Sequence, residues 1–210
     1  RLQDIANNSG NASLINSEQG VLYAEIAALS NDGTFRQVSL NDATNNNMIQ
    51  IDYTTTDNQI RGIVVSGGVL VTVLPFILSD ATLSSKVGLR YKNNDFSLWV
   101  NGVEVSVDSS GVTPTNLSAL FLSNGGGTNN FYGKNKALAV YKTALTDANL
   151  RSLTYPPAVA TTFDLNFNTI AEDFTFTRGS EATFVNAQGL IQSTNELGSE
   201  EITNGDFATD

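Results

Sequence analysis

Cysteine and histidine are both absent from the 210 residues. Without thiols or imidazoles there are no disulfides, no zinc site of the usual kind, no histidine general base and no Ser-His-Asp triad. Charge is scarce as well. Only 15% of residues are charged, and 21 acids against 11 bases leave a net charge of −10. Such a surface repels phosphate, which argues against a nucleic-acid partner, and it offers no polybasic stretch to an anionic membrane. Long apolar runs are missing. The longest, such as Ile63 to Leu74, are broken by Ser and Gly and are too short to span a bilayer. No charged stretch followed by an apolar one opens the chain, so no signal peptide is recognised. The chain starts at Arg1 and stops at Asp210 inside a motif, which reads as a piece of something longer.

What is present is 40% apolar residues, enough for a core, with a polar complement made mainly of Asn, Ser, Thr and Gly. That mixture suits strands and loops better than long helices, whose exposed faces favour Glu, Lys and Gln. Strand-like runs recur along the chain: Val21 to Leu29, Phe35 to Leu40, Met48 to Tyr53, Gln59 to Val65, Val69 to Leu74, Lys86 to Lys92, Phe96 to Val107, Leu117 to Leu122 and Lys136 to Tyr141, with alternation plainest in Met48 to Tyr53, Lys86 to Lys92 and Phe96 to Val107. In Met48 to Tyr53, the residues Met48, Gln50 and Asp52 face one way and Ile49, Ile51 and Tyr53 the other. Asn101-Gly102 between two alternating runs calls for a type I′ hairpin, since both residues tolerate positive φ. Pro75 is expected to stop its strand or place it at an edge. One short helix is expected near Thr146 to Leu153, capped by Thr146, with Asp147 in its first turn and Leu150 and Leu153 on one face. Short punctuated strands without βα alternation point to an all-β, antiparallel β-sandwich.

The organisation expected is an irregular lead-in over 1–20, the sandwich over 21–157, an extended β connector over 158–198, and the start of a truncated β module over 199–210. Pro156-Pro157 closes the sandwich. Beyond it, Phe163, Leu165, Phe167, Phe174 and Phe176 alternate with polar residues. A segment this small buries little of its own surface, so these rings need cover from the sandwich, from neighbouring copies of the chain or from another protein. Arg178 beside them is a candidate for pairing with an acid of a neighbouring copy, or for a solvated position.

Two stretches resemble known families. The hairpin Asp95-Phe96-Ser97-Leu98-Trp99-Val100-Asn101-Gly102, with the run from Ala137 to Leu150 downstream, resembles the concanavalin A-like, laminin-G-like jelly rolls. The likeness covers residues 20–155 and implies a fold shared by lectins, hydrolases and purely structural domains. The stretch from Phe174 to Ile191, read Phe-Thr-Phe-Thr-Arg-Gly-Ser-Glu-Ala-Thr-Phe-Val-Asn-Ala-Gln-Gly-Leu-Ile, is similar to a segment of bacteriophage structural proteins, notably tail- and head-fibre proteins. Gly179 stands where that segment usually has Ala. The closing Glu201 to Phe207 resembles the first strand of a carbohydrate-binding β-sandwich module.

Candidate sites follow. Retaining glycoside hydrolysis needs two carboxyls roughly 5–5.5 Å apart, but Asp52, Asp57, Glu25 and Glu104 are scattered and form no paired-acid strand motif, so no enzyme activity is expected. Trp99 either packs against the sheet or offers a sugar-stacking ring. Asn124, Gly125, Gly126, Asn129 and Asn130 lie in a glycine loop that is either a ligand-contacting rim or a flexible connection; with no Gly-Lys-Ser/Thr after it, it is not a phosphate loop. Asp80 and Asp108 are loop candidates for Ca²⁺, against ordinary turn chemistry; no other cofactor is expected. The resemblances imply a virion surface appendage, a phage fibre protein adhesive to host surface glycans, forming a homo-oligomer (a trimer by preference) with other virion proteins. The rival readings are a carbohydrate-binding module of a secreted enzyme and a glycoside hydrolase.

Overall fold

The computed structural model describes residues 10–155, together with the backbone of two short strands at 183–185 and 191–193. The chain divides into two compact units, Arg1–Pro157 and Ala158–Asp210.

The first unit is an antiparallel β-sandwich of two five-stranded sheets. One sheet runs β10 (Gly133–Tyr141), β1 (Gln19–Ala28), β6 (Ser85–Lys92), β7 (Asp95–Val100), β8 (Val103–Asp108). The other runs β5 (Val69–Ile77), β4 (Gln59–Ser66), β3 (Met48–Tyr53), β2 (Arg36–Asn41), β9 (Ala119–Phe121). The expected all-β sandwich is what the chain forms. Alternation aims Leu22, Ile26, Leu40, Ile49, Ile51, Leu89, Phe96 and Leu98 into one buried cluster between the sheets, each such side chain stabilising the fold by roughly 1.5–3 kcal/mol on burial. The sheets close tightly where Gly62 of β4 faces Leu89 of β6. A Cβ on Gly62 would stand 2.7 Å from a Leu89 methyl.

Turn chemistry follows the sequence. Asn101 and Gly102 take φ of 49° and 84°, the left-handed pair that joins β7 to β8, and Gly67 and Gly68 do the same between β4 and β5 at 58° and 79°. Pro75 lies inside β5, which is an edge strand, so no ladder bond on its open side is lost. β9 is shorter than the run Leu117 to Leu122 suggested. The Leu117 N–H donates to Ser17 Oγ at 2.9 Å instead of joining the ladder. The lead-in from residue 10 onward forms turns fastened to the sandwich: Ile15 is buried, and the Tyr91 hydroxyl donates to the Asn16 carbonyl at 2.8 Å.

The expected helix is α1 (Asp147–Thr154), with Thr146 Oγ1 accepting from the Asn149 N–H. It lies on the outer face of the β6–β7 sheet. Leu150 buries there with Val21 and Trp99, and Thr154 Oγ1 accepts from the Gly102 N–H at 3.1 Å, latching the helix to the β7–β8 hairpin. Arg90 adds an ionic clamp, reaching Asp147 of the helix at 2.6 Å and Asp95 of β7 at 2.9 Å. Among the described residues, no helix is long and apolar enough to cross a membrane.

Within the second unit, β11 (Thr183–Val185) pairs antiparallel with β12 (Ile191–Ser193).

Candidate functional site

In the sheet β5-β4-β3-β2-β9, the side chains pointing away from the core are mostly polar along β2 and β3. Register sets them in rungs. Gln37 pairs with Asp52 and Asp52 with Arg61; Phe121 pairs with Ser39, Ser39 with Gln50, and Gln50 with Ile63. An outward polar face would ordinarily be wet. Here Gln37 is 6% exposed, Gln50 2%, and Asp52 and Ser39 0%.

Asp52 is the hub. Arg61 meets it with two bonds, Nε to Oδ1 at 3.0 Å and Nη2 to Oδ2 at 2.8 Å. Gln50 Nε2 and Gln37 Nε2 donate to the same Oδ2 at 3.1 and 3.3 Å. Burial pushes the Asp52 carboxyl above the usual carboxylate range, opposed by the guanidinium and the two amides, which favour the ionised form.

This arrangement dictates how the two amides are turned. A carboxylate only accepts, so both glutamines must present nitrogen to it and aim oxygen elsewhere. Gln37 Oε1 and Gln50 Oε1 are both buried and have no hydrogen-bond partner. Each orphaned acceptor costs about 1–3 kcal/mol of desolvation, which apolar residues of similar shape would not incur. Buried donors without a partner also occur at Arg36 Nε and Arg90 Nε, but the remaining nitrogens of Arg36 are engaged by the Thr34 carbonyl and Asp32, and those of Arg90 by Asp95, Glu104 and Asp147.

The rim of this patch is partly aromatic. The Arg61 guanidinium lies over the Phe35 ring, 5.9 Å from its centroid. On the β9 side, Ser39 Oγ donates to the Ser123 carbonyl at 2.8 Å, so the chain leaving β9 borders the patch and continues into the glycine loop.

That loop is a held structure, and only part of it is available to a ligand. The Asn124 amide closes the loop on itself, bonding Thr128 N and Oγ1, both at 2.8 Å. Gly125 abuts the Thr44 carbonyl oxygen, which a Cβ would overlap, so glycine here serves loop-on-loop packing and leaves no room for a sugar. Gly126 is exposed, with its N–H on Asn45 Oδ1 at 2.9 Å. Asn129 is exposed and left-handed at φ 54°, and Asn130 is half-buried. Of the five loop residues, Gly126, Asn129 and Asn130 face outward, while Asn124 and Gly125 hold the turn.

Trp99 does not offer a stacking surface. It is 3% exposed beneath α1, and its Nε1 donates to Ser97 Oγ at 3.0 Å. The expectation of Trp99 as a ligand residue is therefore corrected: the helix occupies the face a sugar would need.

Asp80 and Asp108 perform turn chemistry. Asp80 Oδ1 accepts from Thr82 N and Oγ1 at 2.8 and 2.7 Å; Asp108 Oδ1 accepts from Ser110 N and Oγ, both at 2.9 Å. Asp80 lies between β5 and β6, where it lines a cleft of about 470 Å³ with Val103 and Val105, and Asp108 ends β8. The two do not share an ion. Among the described residues, no group of three or more acids, histidines or cysteines is placed to hold a metal.

The other acids weighed above are also apart. Glu25 pairs with Lys136 at 3.3 Å, Glu104 with Arg90 at 3.7 Å, and Asp57 is exposed in a turn. Phe163, Leu165, Phe167, Phe174, Phe176 and Arg178 lie outside the described residues.

Gln37, Gln50 and Arg61 were not singled out from the sequence. The facing of Gln50 and Asp52 was visible as alternation, but their convergence with Gln37 and Arg61 depends on cross-strand register.

No protein-family model matches the chain, and no curated protein matches it. Solved structures do. The CBM40 module of a Ruminococcus gnavus IT-sialidase superimposes with a TM-score of 0.56 at 16% identity, covering 73% of this chain and 96% of that one. Domain 4 of AbnA, a GH43 extracellular arabinanase from Geobacillus stearothermophilus, solved with arabinotriose, gives 0.55 at 14% identity, covering 73% and 82%. The leech intramolecular trans-sialidase gives 0.55 at 19% identity over 72% of this chain and 26% of that one. At these identities the likeness is one of fold. The first unit is a jelly-roll β-sandwich of the kind seen in carbohydrate-binding modules.

Proposed function

We propose that this chain is a non-catalytic, glycan-binding β-sandwich whose ligand face is the outer side of β2, β3 and β4 around Asp52, bordered by the 122–130 loop. The observation that carries the reading is the pair of buried, unpartnered amide oxygens at Gln37 and Gln50. A sugar offers what they lack, a closely spaced set of hydroxyl donors. A donor held above the two glutamines completes a network already tensioned by Asp52 and Arg61, and a fully satisfied buried network gains from its low-dielectric setting. Phe35 supplies an apolar surface beside it. Further support comes from two similar structures: a CBM40 module of the same Ruminococcus gnavus enzyme, bound to sialyllactose, and AbnA domain 4, in complex with arabinotriose.

The wider reading is that the sandwich is the adhesive module of a phage fibre on the virion surface, assembled as a homo-oligomer, a trimer by preference, with other virion proteins. It rests on the likeness of Phe174 to Ile191 to fibre proteins. The second reading is a carbohydrate-binding module of a secreted enzyme, favoured by the provenance of the similar structures. A glycan array probed with the full chain tests the common core, binding of at least one oligosaccharide class; an array without any positive class refutes it. Immunogold labelling of phage particles with an antibody against the chain separates the two settings. Labelled particles support the fibre, and unlabelled particles favour the module.

A further inference from the structure

We infer that the Asp52 face selects uncharged, hydroxyl-donating sugars and rejects carboxylated ones, an inference that rests on the glycan-binding reading above. The two glutamine side-chain atoms without any partner, Gln37 Oε1 and Gln50 Oε1, are both acceptors. An acceptor is met by a hydroxyl or an amide N–H and is repelled by a carboxylate, which has no proton to give. The one base among the outward-facing partners on these rungs is Arg61, and its Nε and Nη2 are already committed to Asp52 at 3.0 and 2.8 Å. The side-on edge of the guanidinium is therefore taken, and its charge is already matched by Asp52. The pair Asp52–Arg61 is neutral as a unit, and the chain carries a net charge of −10. An acidic sugar would lose its hydration here without gaining a free counter-charge.

Burial adds the second half of the argument. Gln37 and Gln50 are 6% and 2% exposed, and their orphaned oxygens lie below the surface. Arg61, at 24% exposed, and half-buried Phe35 are the outer members of the patch. A ligand hydroxyl reaches the two oxygens by moving these side chains, and only a proton donor repays that displacement.

The test uses the full chain and its Gln37→Met and Gln50→Met variants, titrated with neutral oligosaccharides (arabinotriose and lactose among them) and with matched sialylated or uronic-acid oligosaccharides. The expected result is preference for a neutral sugar by at least about tenfold. Each methionine variant should lose about tenfold or more in that affinity, with Tm lowered only as far as one lost donor to Asp52 accounts for. A merely structural glutamine would lower Tm without changing the ratio of neutral to carboxylated affinity. Preference for the carboxylated sugars, or methionine variants that bind like the parent, overturns the inference and leaves glycan binding standing. Absence of binding to every sugar overturns both.

Discussion

Gly125 and the carbonyl of Thr44 touch so closely that no side chain fits between them. This contact fastens the glycine loop to the β2–β3 turn, with the Gly126 N–H on Asn45 Oδ1 as its neighbour. Gly125→Ala must displace backbone rather than a mobile side-chain tip. The loop should detach while the sheets remain, with a Tm loss of a few degrees, on the order of 1–3 kcal/mol. Hydrogen exchange should rise at 124–130 and 42–46 alone. Exchange that rises across the whole sandwich, or nowhere, contradicts this.

Trp99 and Leu150 seal the helix onto the sheet. Trp99→Ala should destabilise the fold by about 3–5 kcal/mol, the usual range for emptying a buried aromatic site. Glycan affinity should survive in the fraction that remains folded, since Trp99 lies on the opposite sheet from the Asp52 face. Chemical denaturation together with titration calorimetry checks both halves, and a Trp99→Ala protein of parental stability would be incompatible with the packing described.

The Asp52–Arg61 pair makes a double-mutant cycle informative. Arg61→Met leaves a fully buried carboxylate uncompensated, which costs about 3–5 kcal/mol in general; the low end applies here because Arg61 is 24% exposed. Asp52→Leu in the Arg61→Met background should recover most of that loss, because it removes the stranded charge. If the double variant is no better than Arg61→Met alone, the pair is not the hub that the geometry indicates.

Stability against pH carries two opposed signs. Hydrogen bonds hold the carboxyls of Asp32, Asp80 and Asp108 below their ordinary value, and those from Thr44 and Asn47 outweigh burial to do the same at Asp42. Groups depressed in the folded state contribute stability above the unfolded value near pH 4, and that contribution fades as pH falls further. Asp52 is raised by burial, so its contribution is fully present below about pH 4 and is lost as pH rises through its folded value. With no histidine in the chain, Tm should fall steeply below about pH 4. Asp52→Asn should steepen the gain in Tm from pH 4 to neutral by removing the opposing group. A Tm profile unchanged by Asp52→Asn would count against the raised carboxyl.

Much of this was legible in one dimension. Alternation in Met48 to Tyr53 sorted Ile49 and Ile51 from Gln50 and Asp52, Asn101-Gly102 named its own turn, and Thr146 marked the start of the helix. These signals are local: a strand's facing, a turn's φ and a helix cap depend on residues within a few positions. The site was legible only in pieces. Trp99 drew attention as a lone indole, yet its outward face is taken by a helix about fifty residues later in the chain. The glycine loop was visible as glycine, but Asn124 and Gly125 serve the loop itself, because Thr128 and Thr44 are where their atoms point.

By itself, then, the sequence determined that this polypeptide forms sheets, where it turns, and that these 210 residues bring neither a thiol nor an imidazole. Tertiary structure alone decided that Gln37, Gln50, Asp52 and Arg61 meet. They come from three strands whose mutual register is set by core packing on the opposite face. Only that registration turns two amides toward one carboxylate and leaves their oxygens without partners.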